Sequence, residues 1–230
     1  MFGSGQVVVT GGSGGLGRGV VPALLAAGAR VCVPVLAEAE LADVPWRTHA
    51  EVTVVSGIDL RDEDAVGRFY ASLDDLWASI HLVGGFGMAP LVETKAAAIK
   101  NMFEMNTLTC FLATREAARA MGRHDLGGRI VNVAARPALT PTGGMIAYSV
   151  AKAGVVAITE SAAEELRPQN ILVNAVAPSV MDTPANRKSM PDADHSSWPS
   201  VAEVASAIVF LASRHNALTS GLIMPVYGRV

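Results

Sequence analysis

Short apolar stretches alternate with longer segments of helical periodicity along the whole chain. The apolar stretches are rich in β-branched residues and do not alternate apolar with polar positions, which is typical of strands that helices cover on both faces. The pattern predicts seven strands, over Gln6–Thr10, Arg30–Val35, Glu51–Val55, Ile80–Val83, Arg129–Val133, Ile171–Ala177 and Leu222–Pro225.

Five of the segments between these strands are predicted to contain helices. The first follows a glycine loop and runs to about Ala27, the second begins near Asp62, and three more cover roughly Ala96–Met121, Tyr148–Leu166 and Val201–Ala212. Pro22 lies inside the first helical pattern, where an interior proline costs about 3 kcal/mol. We therefore expect that helix either to be kinked or to begin later.

Alternation of strands and helices predicts a parallel sheet and an α/β fold of the doubly wound (Rossmann) type, with seven strands and helices on both faces. No linker or shift in composition divides the chain, so residues 1–230 are predicted to form a single domain. Sheets of this kind bind ligands at the carboxyl ends of their strands, where the strand order reverses.

Composition narrows the classes of protein that the chain can represent. Hydrophobic residues make up 50% and charged residues 17%, which excludes a disordered chain. A net charge of -3 without a basic block argues against nucleic acid and anionic membrane as partners. The sequence contains neither a signal-peptide pattern nor an uncharged stretch of the ~18 residues that a membrane span needs, so we expect a cytoplasmic protein.

The cysteines and histidines suggest no metal site. Cys32 and Cys110 each lie in an apolar run and are predicted to be buried thiols. The five histidines are scattered and lack the spacing of metal ligands.

The first predicted strand leads into a glycine loop that runs from Thr10 to Gly17 as Thr-Gly-Gly-Ser-Gly-Gly-Leu-Gly. Glycine allows a tight turn and lets backbone amides approach a ligand. The helix that follows would direct its N-terminal amides and partial positive charge toward a phosphate. Between a strand and a helix, the loop is interpreted as a pyrophosphate cradle; the alternative is a flexible glycine turn.

Tyr148 and Lys152 stand four residues apart at the start of a predicted helix, and this spacing places them on one face. A free tyrosine has a pKa near 10, so its phenol exchanges protons poorly at neutral pH. A nearby ammonium would lower that pKa toward the range useful for acid–base catalysis.

The Thr-Gly-x-x-x-Gly-x-Gly loop and the Tyr-x-x-x-Lys pair resemble the short-chain dehydrogenase/reductase family over nearly the whole chain. The resemblance implies NAD or NADP as cofactor and hydride transfer to or from a substrate. It implies that Tyr148 exchanges the proton and that Lys152 also holds the nicotinamide ribose. Asn106 matches the asparagine that holds a water in the proton relay; the alternative is a helix asparagine with a local hydrogen bond.

The resemblance also assigns the cofactor contacts. These lie in the glycine loop and after the later strands, at Gly11, Ser13, Gly14, Gly15, Leu16, Gly17, Val35, Asp59, Leu60, Gly84, Gly85, Phe86, Tyr148, Lys152, Pro178, Met181 and Thr183. Asp59 has an alternative interpretation as a helix-initiating residue. At Val35 the chain has neither the acid that marks NAD nor an arginine that marks NADP, so the dinucleotide stays open. The Gly-Gly-aromatic run at Gly84–Phe86 is similar to the dihydropteridine reductase branch of the family.

One departure from the family pattern concerns catalysis. Ala135 precedes Tyr148 by thirteen residues, where the family has its catalytic serine. Loss of one such donor can cost about 2.7–4 kcal/mol of transition-state stabilisation. Three interpretations stay open: Thr140 or Thr142 supplies a substitute hydroxyl; the substrate needs none, as in the dihydropteridine reductase branch; or the chain is a catalytically weak or non-catalytic dinucleotide-binding module.

The substrate is therefore expected to be a small carbonyl or alcohol, or a quinonoid, pterin-like compound. Residues 184–199 are predicted to form the substrate-binding loop, in which Trp198 offers contact to a ring. The resemblance further implies a homo-oligomer, either a tetramer or a dimer, in which the long helix and the Tyr148 helix pack across an interface.

Overall fold

The computed structural model describes residues 1–229, and its centre is a seven-stranded sheet in which every neighbouring pair is parallel. The strands are β1 Gln6–Thr10, β2 Arg30–Pro34, β3 Val52–Val55, β4 Leu76–His81, β5 Gly128–Val133, β6 Ile171–Pro178 and β7 Ile223–Val226. Their spatial order is β3-β2-β1-β4-β5-β6-β7. This order confirms the doubly wound fold and places the reversal between β1 and β4.

The helices are α1 Gly17–Ala26, α2 Glu63–Ala71, α3 Ala96–Met102, α4 Thr109–Met121, α5 Arg136–Leu139, α6 Ile146–Leu166, α7 Pro184–Ser189 and α8 Val201–Ala212. Two hydrophobic clusters pack helices against opposite faces of the sheet. One contains Val21 of α1 and Ile208 of α8, and the other contains Phe69 of α2 and Leu112 of α4. Helices therefore cover both faces, as predicted.

Strand β4 lies earlier in the chain than the predicted Ile80–Val83. It begins at Leu76, pairs with β1 from Gln6 to Thr10 and ends at His81. Ser79 and His81 interrupt the apolar pattern, yet both are buried because their side chains hydrogen-bond to each other in the core. A strand with paired polar groups of this kind is hidden from a reading of hydrophobicity alone.

The helices also differ from expectation in detail. Helix α1 begins at Gly17 and continues through Pro22, so a later start is not found. Pro22 is exposed, and the carbonyl that it leaves without a helical partner is that of exposed Arg18. Part of the predicted 184–199 loop is helical, because Thr183 caps α7 by accepting a hydrogen bond from the amide of Asn186.

Residues 1–229 contain no helix that is long and apolar enough to cross a membrane. The same residues contain no group of three or more side chains suited to hold a metal ion. Cys32 and Cys110 are free and buried, and burial raises the pKa of each thiol to about 11.

Candidate active site

The glycine loop connects the carboxyl end of β1 to α1, and the fold itself requires two of its glycines. A Cβ atom on Gly17 would lie 2.3 Å from the carbonyl oxygen of Gly12, and one on Gly11 would lie 2.9 Å from the amide nitrogen of Val83. Gly11 also has a φ of +69°, which favours glycine. Gly11 thus permits the close approach of the loop to the segment after β4, and Gly17 permits the tight turn within the loop.

The next two glycines leave room for a ligand. Gly14 and Gly15 are exposed, and a Cβ atom on Gly15 would meet only the methyl group of Thr183, at 3.7 Å. Leu16, in contrast, is buried and packs into the core on the α1 face. An open backbone surface at the start of a helix fits a pyrophosphate, so the residues present are suited to a dinucleotide cofactor.

A second pair of glycines, after β4, contacts the predicted catalytic residues. A Cβ atom on Gly84 would lie 2.5 Å from Oδ1 of Asn106 and 3.3 Å from Nζ of Lys152. One on Gly85 would lie 2.0 Å from the sulfur of Met105. The absence of side chains here therefore lets the loop after β4, the Asn106 segment and α6 meet at one point.

Asn106 lies in a π-helical segment, Phe103–Leu108, which divides the long helix predicted over Ala96–Met121. Its Oδ1 accepts a hydrogen bond from the amide of Gly85 at 3.1 Å, and its Nδ2 donates to the carbonyl of Met102 at 3.0 Å. The Asn106 side chain thus makes a local hydrogen bond within the helix, as the alternative interpretation of this residue predicts. π-Helical turns are frequent at functional sites because they change the direction of backbone groups.

Lys152 is buried on α6, and its Nζ donates to the carbonyl of Val133 at the end of β5, at 2.7 Å. The same Nζ lies 6.0 Å from the centre of the Tyr148 ring. Burial lowers the pKa of Lys152 to about 8 and raises that of Tyr148 to about 12. The predicted net lowering of the tyrosine pKa is wrong for this structure, because loss of solvent around the phenol outweighs the effect of the ammonium.

The mouth of the site is apolar on one side. The ring of Phe86 packs edge-on against that of Tyr148, with 5.1 Å between their centres. Phe86 is 60% exposed, so it presents apolar surface to solvent beside the phenol. A ligand with a hydrophobic face would cover this surface.

The residues considered for the missing serine lie beyond the end of β5. Ala135 is buried directly before α5. Thr140 and Thr142 are exposed, and the hydroxyl of Thr142 donates to the carbonyl of Thr140 at 3.4 Å. Within residues 1–229, neither threonine hydroxyl hydrogen-bonds to Tyr148.

The segment after β6 approaches the glycine loop from the other side. Pro178 ends β6, and the methyl group of Thr183 faces Gly15 while its hydroxyl caps α7. The carbonyl of Met181 accepts a hydrogen bond from Nδ2 of Asn186 at 2.8 Å. Sequence reasoning missed Asn186, although the Thr183-Pro184 pair signals a helix start just before it.

Other predicted residues have different surroundings. The side chains of Val35 and Leu60 are buried in the two clusters, so only their backbones remain for a ligand.

Asp59 forms an ion pair with Arg61 at 3.0 Å, which holds the pKa of its carboxyl below the usual value. Asp62, not Asp59, caps α2, so the helix-initiating alternative is wrong. Trp198 packs against His195, with 4.6 Å between ring centres.

A glycine cradle at the reversal of strand order, facing a tyrosine–lysine pair, defines a dinucleotide-dependent oxidoreductase of the Rossmann class. The family model described as short chain dehydrogenase matches residues 6–194. The chain belongs to this family and is an NAD(P)-dependent oxidoreductase.

Relatives of known activity match along most of their length. Carbonyl reductase (NADPH) 2 of Sus scrofa is 28% identical over 94% of this chain and 92% of its own. Sorbitol dehydrogenase of Cereibacter sphaeroides is 31% identical over 76% of this chain and 70% of its own. The crystal structure of acetoin dehydrogenase from Enterobacter cloacae superposes with a TM-score of 0.86, at 28% identity, and covers 98% of this chain and 94% of its own.

Proposed function

We propose that this protein interconverts a small carbonyl compound and its alcohol, or reduces a quinonoid, pterin-like compound, with Tyr148 as the group that exchanges the proton. The observation that carries the proposal is the convergence of Gly84, Asn106 and Lys152 beside Tyr148 and the glycine loop. The names of the relatives favour carbonyl compounds. The replacement of serine by Ala135 and the Gly84–Phe86 run keep the quinonoid class in the proposal.

A nicotinamide cofactor supplies the hydride chemistry when it is bound. Gly14 and Gly15 would hold its pyrophosphate, and Lys152 would hold its ribose. The remaining cofactor contacts assigned above belong to the same proposal.

Tyr148 is the proton donor in the direction of reduction. Because its pKa is raised to about 12, the phenol is protonated at neutral pH and can donate to the substrate oxygen. The phenolate that forms lies near the ammonium of Lys152, which the Val133 carbonyl holds in place. The attraction between these charges stabilises the donor after it loses its proton.

Asn106 contributes to the relay through its backbone. Its side chain is already bound to Gly85 and Met102, so a relay water would bind to the carbonyl that the π-helical turn redirects. That water would return a proton to Tyr148 by way of Lys152.

The test is a screen of NADH and NADPH oxidation against quinonoid dihydropterins, quinones and small ketones. On the best substrate, Tyr148→Phe should lower turnover by about 10²–10⁴-fold, the usual contribution of a general acid, while dinucleotide binding is retained. Tyr227→Phe removes a hydroxyl elsewhere and is the matched control. Full activity in Tyr148→Phe would refute the assigned role, and bound dinucleotide without turnover of any substrate would favour a non-catalytic module.

We also propose that the protein is a homo-oligomer, a dimer or a tetramer, that uses the outer surfaces of α4 and α6. A groove of about 800 Å³ lies between these helices, and Phe111 is 43% exposed on its border. The small side chains of Ala118 and Ala157 also line it and would permit close approach of a second copy. Light scattering should give a multiple of the chain mass, and Phe111→Asp should lower it; an unchanged mass would point to another interface.

A further inference from the structure

The carboxyl end of β2 carries a carboxylate that the local sequence does not reveal. Beyond the strand the backbone turns at Leu36 and Ala37 into a short 3-10 helix, Glu38–Leu41. Oε1 of Glu40 accepts hydrogen bonds from the amides of Leu36, at 2.9 Å, and Ala37, at 3.1 Å. Two backbone donors therefore fix this carboxylate directly after the strand. It lies close to the position where the sequence has Val35 instead of an acidic residue.

The second oxygen of the same carboxylate reaches the glycine loop. Oε2 of Glu40 accepts a hydrogen bond from the hydroxyl of Ser13 at 3.1 Å, and the contact is exposed to solvent. Strands β1 and β2 are neighbours, so their carboxyl ends lie side by side and allow this contact between residues 27 positions apart. Glu40 thus joins the end of β2 to the pyrophosphate cradle.

We propose that Glu40 determines the choice of dinucleotide and that the protein prefers NAD(H) to NADP(H). The inference rests on the proposed cofactor site and adds which form of the adenosine ribose, with or without a 2′-phosphate, that site prefers. A fixed carboxylate at this edge accepts hydrogen bonds from ribose hydroxyls, whereas it repels a 2′-phosphate of like charge. Because two amides hold Glu40, its carboxylate cannot turn away from a phosphate without losing both hydrogen bonds.

Arg18 is the cation that competes with this effect. Its Nε donates to the carbonyl of Ser13 at 3.2 Å, and its Nη1 donates to the carbonyl of Asp43 at 2.7 Å. The guanidinium is therefore anchored on backbone carbonyls, although it borders the same serine. The preference depends on repulsion of a 2′-phosphate by Glu40 and its attraction by Arg18. The repulsion is stronger, because the Glu40 carboxylate is fixed directly beyond the end of β2.

The experiment is a fluorescence titration of the intact chain with NADH and NADPH at one fixed ionic strength. Wild type should bind NADH more tightly by roughly 10- to 100-fold, the effect of one hydrogen bond to a charged group. Glu40→Gln keeps an oxygen for the two amides but removes the charge, so it should lower this preference at least about tenfold. Glu38→Gln removes the same charge two residues away and should leave the preference unchanged.

Equal or tighter binding of NADPH by the wild-type chain would overturn the inference while the proposed function stands. An unchanged preference in Glu40→Gln with an unchanged melting temperature would overturn it as well. Absence of binding of either dinucleotide would instead refute the cofactor site and the inference together. If Glu40→Gln does not fold, the inference is tested by the wild-type ratio of NADH affinity to NADPH affinity and by Ser13→Ala. Loss of the Ser13 hydroxyl should loosen the Glu40 carboxylate and so reduce that ratio.

Discussion

A buried chain of polar side chains lies beneath the site, and His81 is at its centre. Its ring nitrogens contact the hydroxyl of Ser79 at 2.9 Å and Oδ1 of Asn132 at 2.8 Å. The hydroxyl of Thr159 donates to a carbonyl, so it accepts from Nδ2 of Asn132, and Oδ1 must face the histidine. Since this oxygen only accepts, Nδ1 carries the proton. Because burial lowers the pKa of His81, the imidazole is neutral at pH 7 and Nε2 accepts from Ser79.

Burial lowers the pKa of His81 to about 4, from an ordinary value of 6.5. Between pH 6.5 and about pH 4, His81 binds a proton in the unfolded chain but not in the folded chain. The stability linked to His81 is thus fully present above pH 6.5 and is lost as the pH falls toward 4. A difference of about 2.5 pKa units corresponds to about 3 kcal/mol, a substantial part of the usual 5–15 kcal/mol of a folded domain.

Urea unfolding at pH 7.5, 6.5, 5.5 and 4.5 tests this for wild type and His81→Gln. At pH 7.5 the variant should be less stable by about 1–3 kcal/mol, because it disturbs buried hydrogen bonds. Between pH 6.5 and 4.5, however, wild type should lose about 2 kcal/mol more than the variant, since glutamine does not titrate. His215→Gln changes an exposed histidine and should follow wild type.

Parallel pH dependence of wild type and His81→Gln would refute the reasoning, because it would mean that the folded chain binds the proton as readily as the unfolded chain. Nitrogen NMR of the ring gives an independent answer. A proton on Nε2, or on both nitrogens at pH 6, would contradict the neutral Nδ1–H form that the hydrogen bonds and the lowered pKa indicate.

Three further predictions concern the site. Gly84→Ala would place a Cβ 2.5 Å from Oδ1 of Asn106 and should weaken dinucleotide binding in titrations, whereas Gly143→Ala, where nothing lies within 4 Å, should not. The reduction rate should fall as the pH rises through about 8, because Lys152 then loses its charge; a flat profile to pH 10 would contradict that pKa. Ala135→Ser should raise turnover of simple ketones, up to the roughly 100- to 1,000-fold that one oxyanion donor provides; no change would indicate a substrate that needs no such donor.

Much of the fold follows from local patterns. Unbroken apolar stretches and intervening helices predict a parallel sheet because every strand must be covered on both faces. The spacing of Tyr148 and Lys152 predicts a shared helix face, and the glycine loop predicts a phosphate cradle, since both depend on residues within one turn or loop. The short-chain family could be inferred from the same motifs.

The remaining features depend on contacts between residues far apart in the chain. The hydrogen bond from Gly85 to Asn106 spans 21 positions, and the contact of Ser13 with Glu40 spans 27. The bounds of strand β4 were predicted wrongly because buried His81 hydrogen-bonds to Asn132, 51 positions away. No pattern in a short window records such pairs.

Sequence by itself determined the class of fold and predicted the glycine loop and the Tyr148–Lys152 pair as parts of the site, because local spacing and hydrophobicity specify them. Tertiary structure decided the directions in which the pKa values of Tyr148 and Lys152 shift, the π-helical turn at Asn106 and the position of the Glu40 carboxylate beside the end of β2. The physical reason is that a pKa depends on the solvent that packing removes, and a buried or bridging polar group depends on the partner that the fold brings to it.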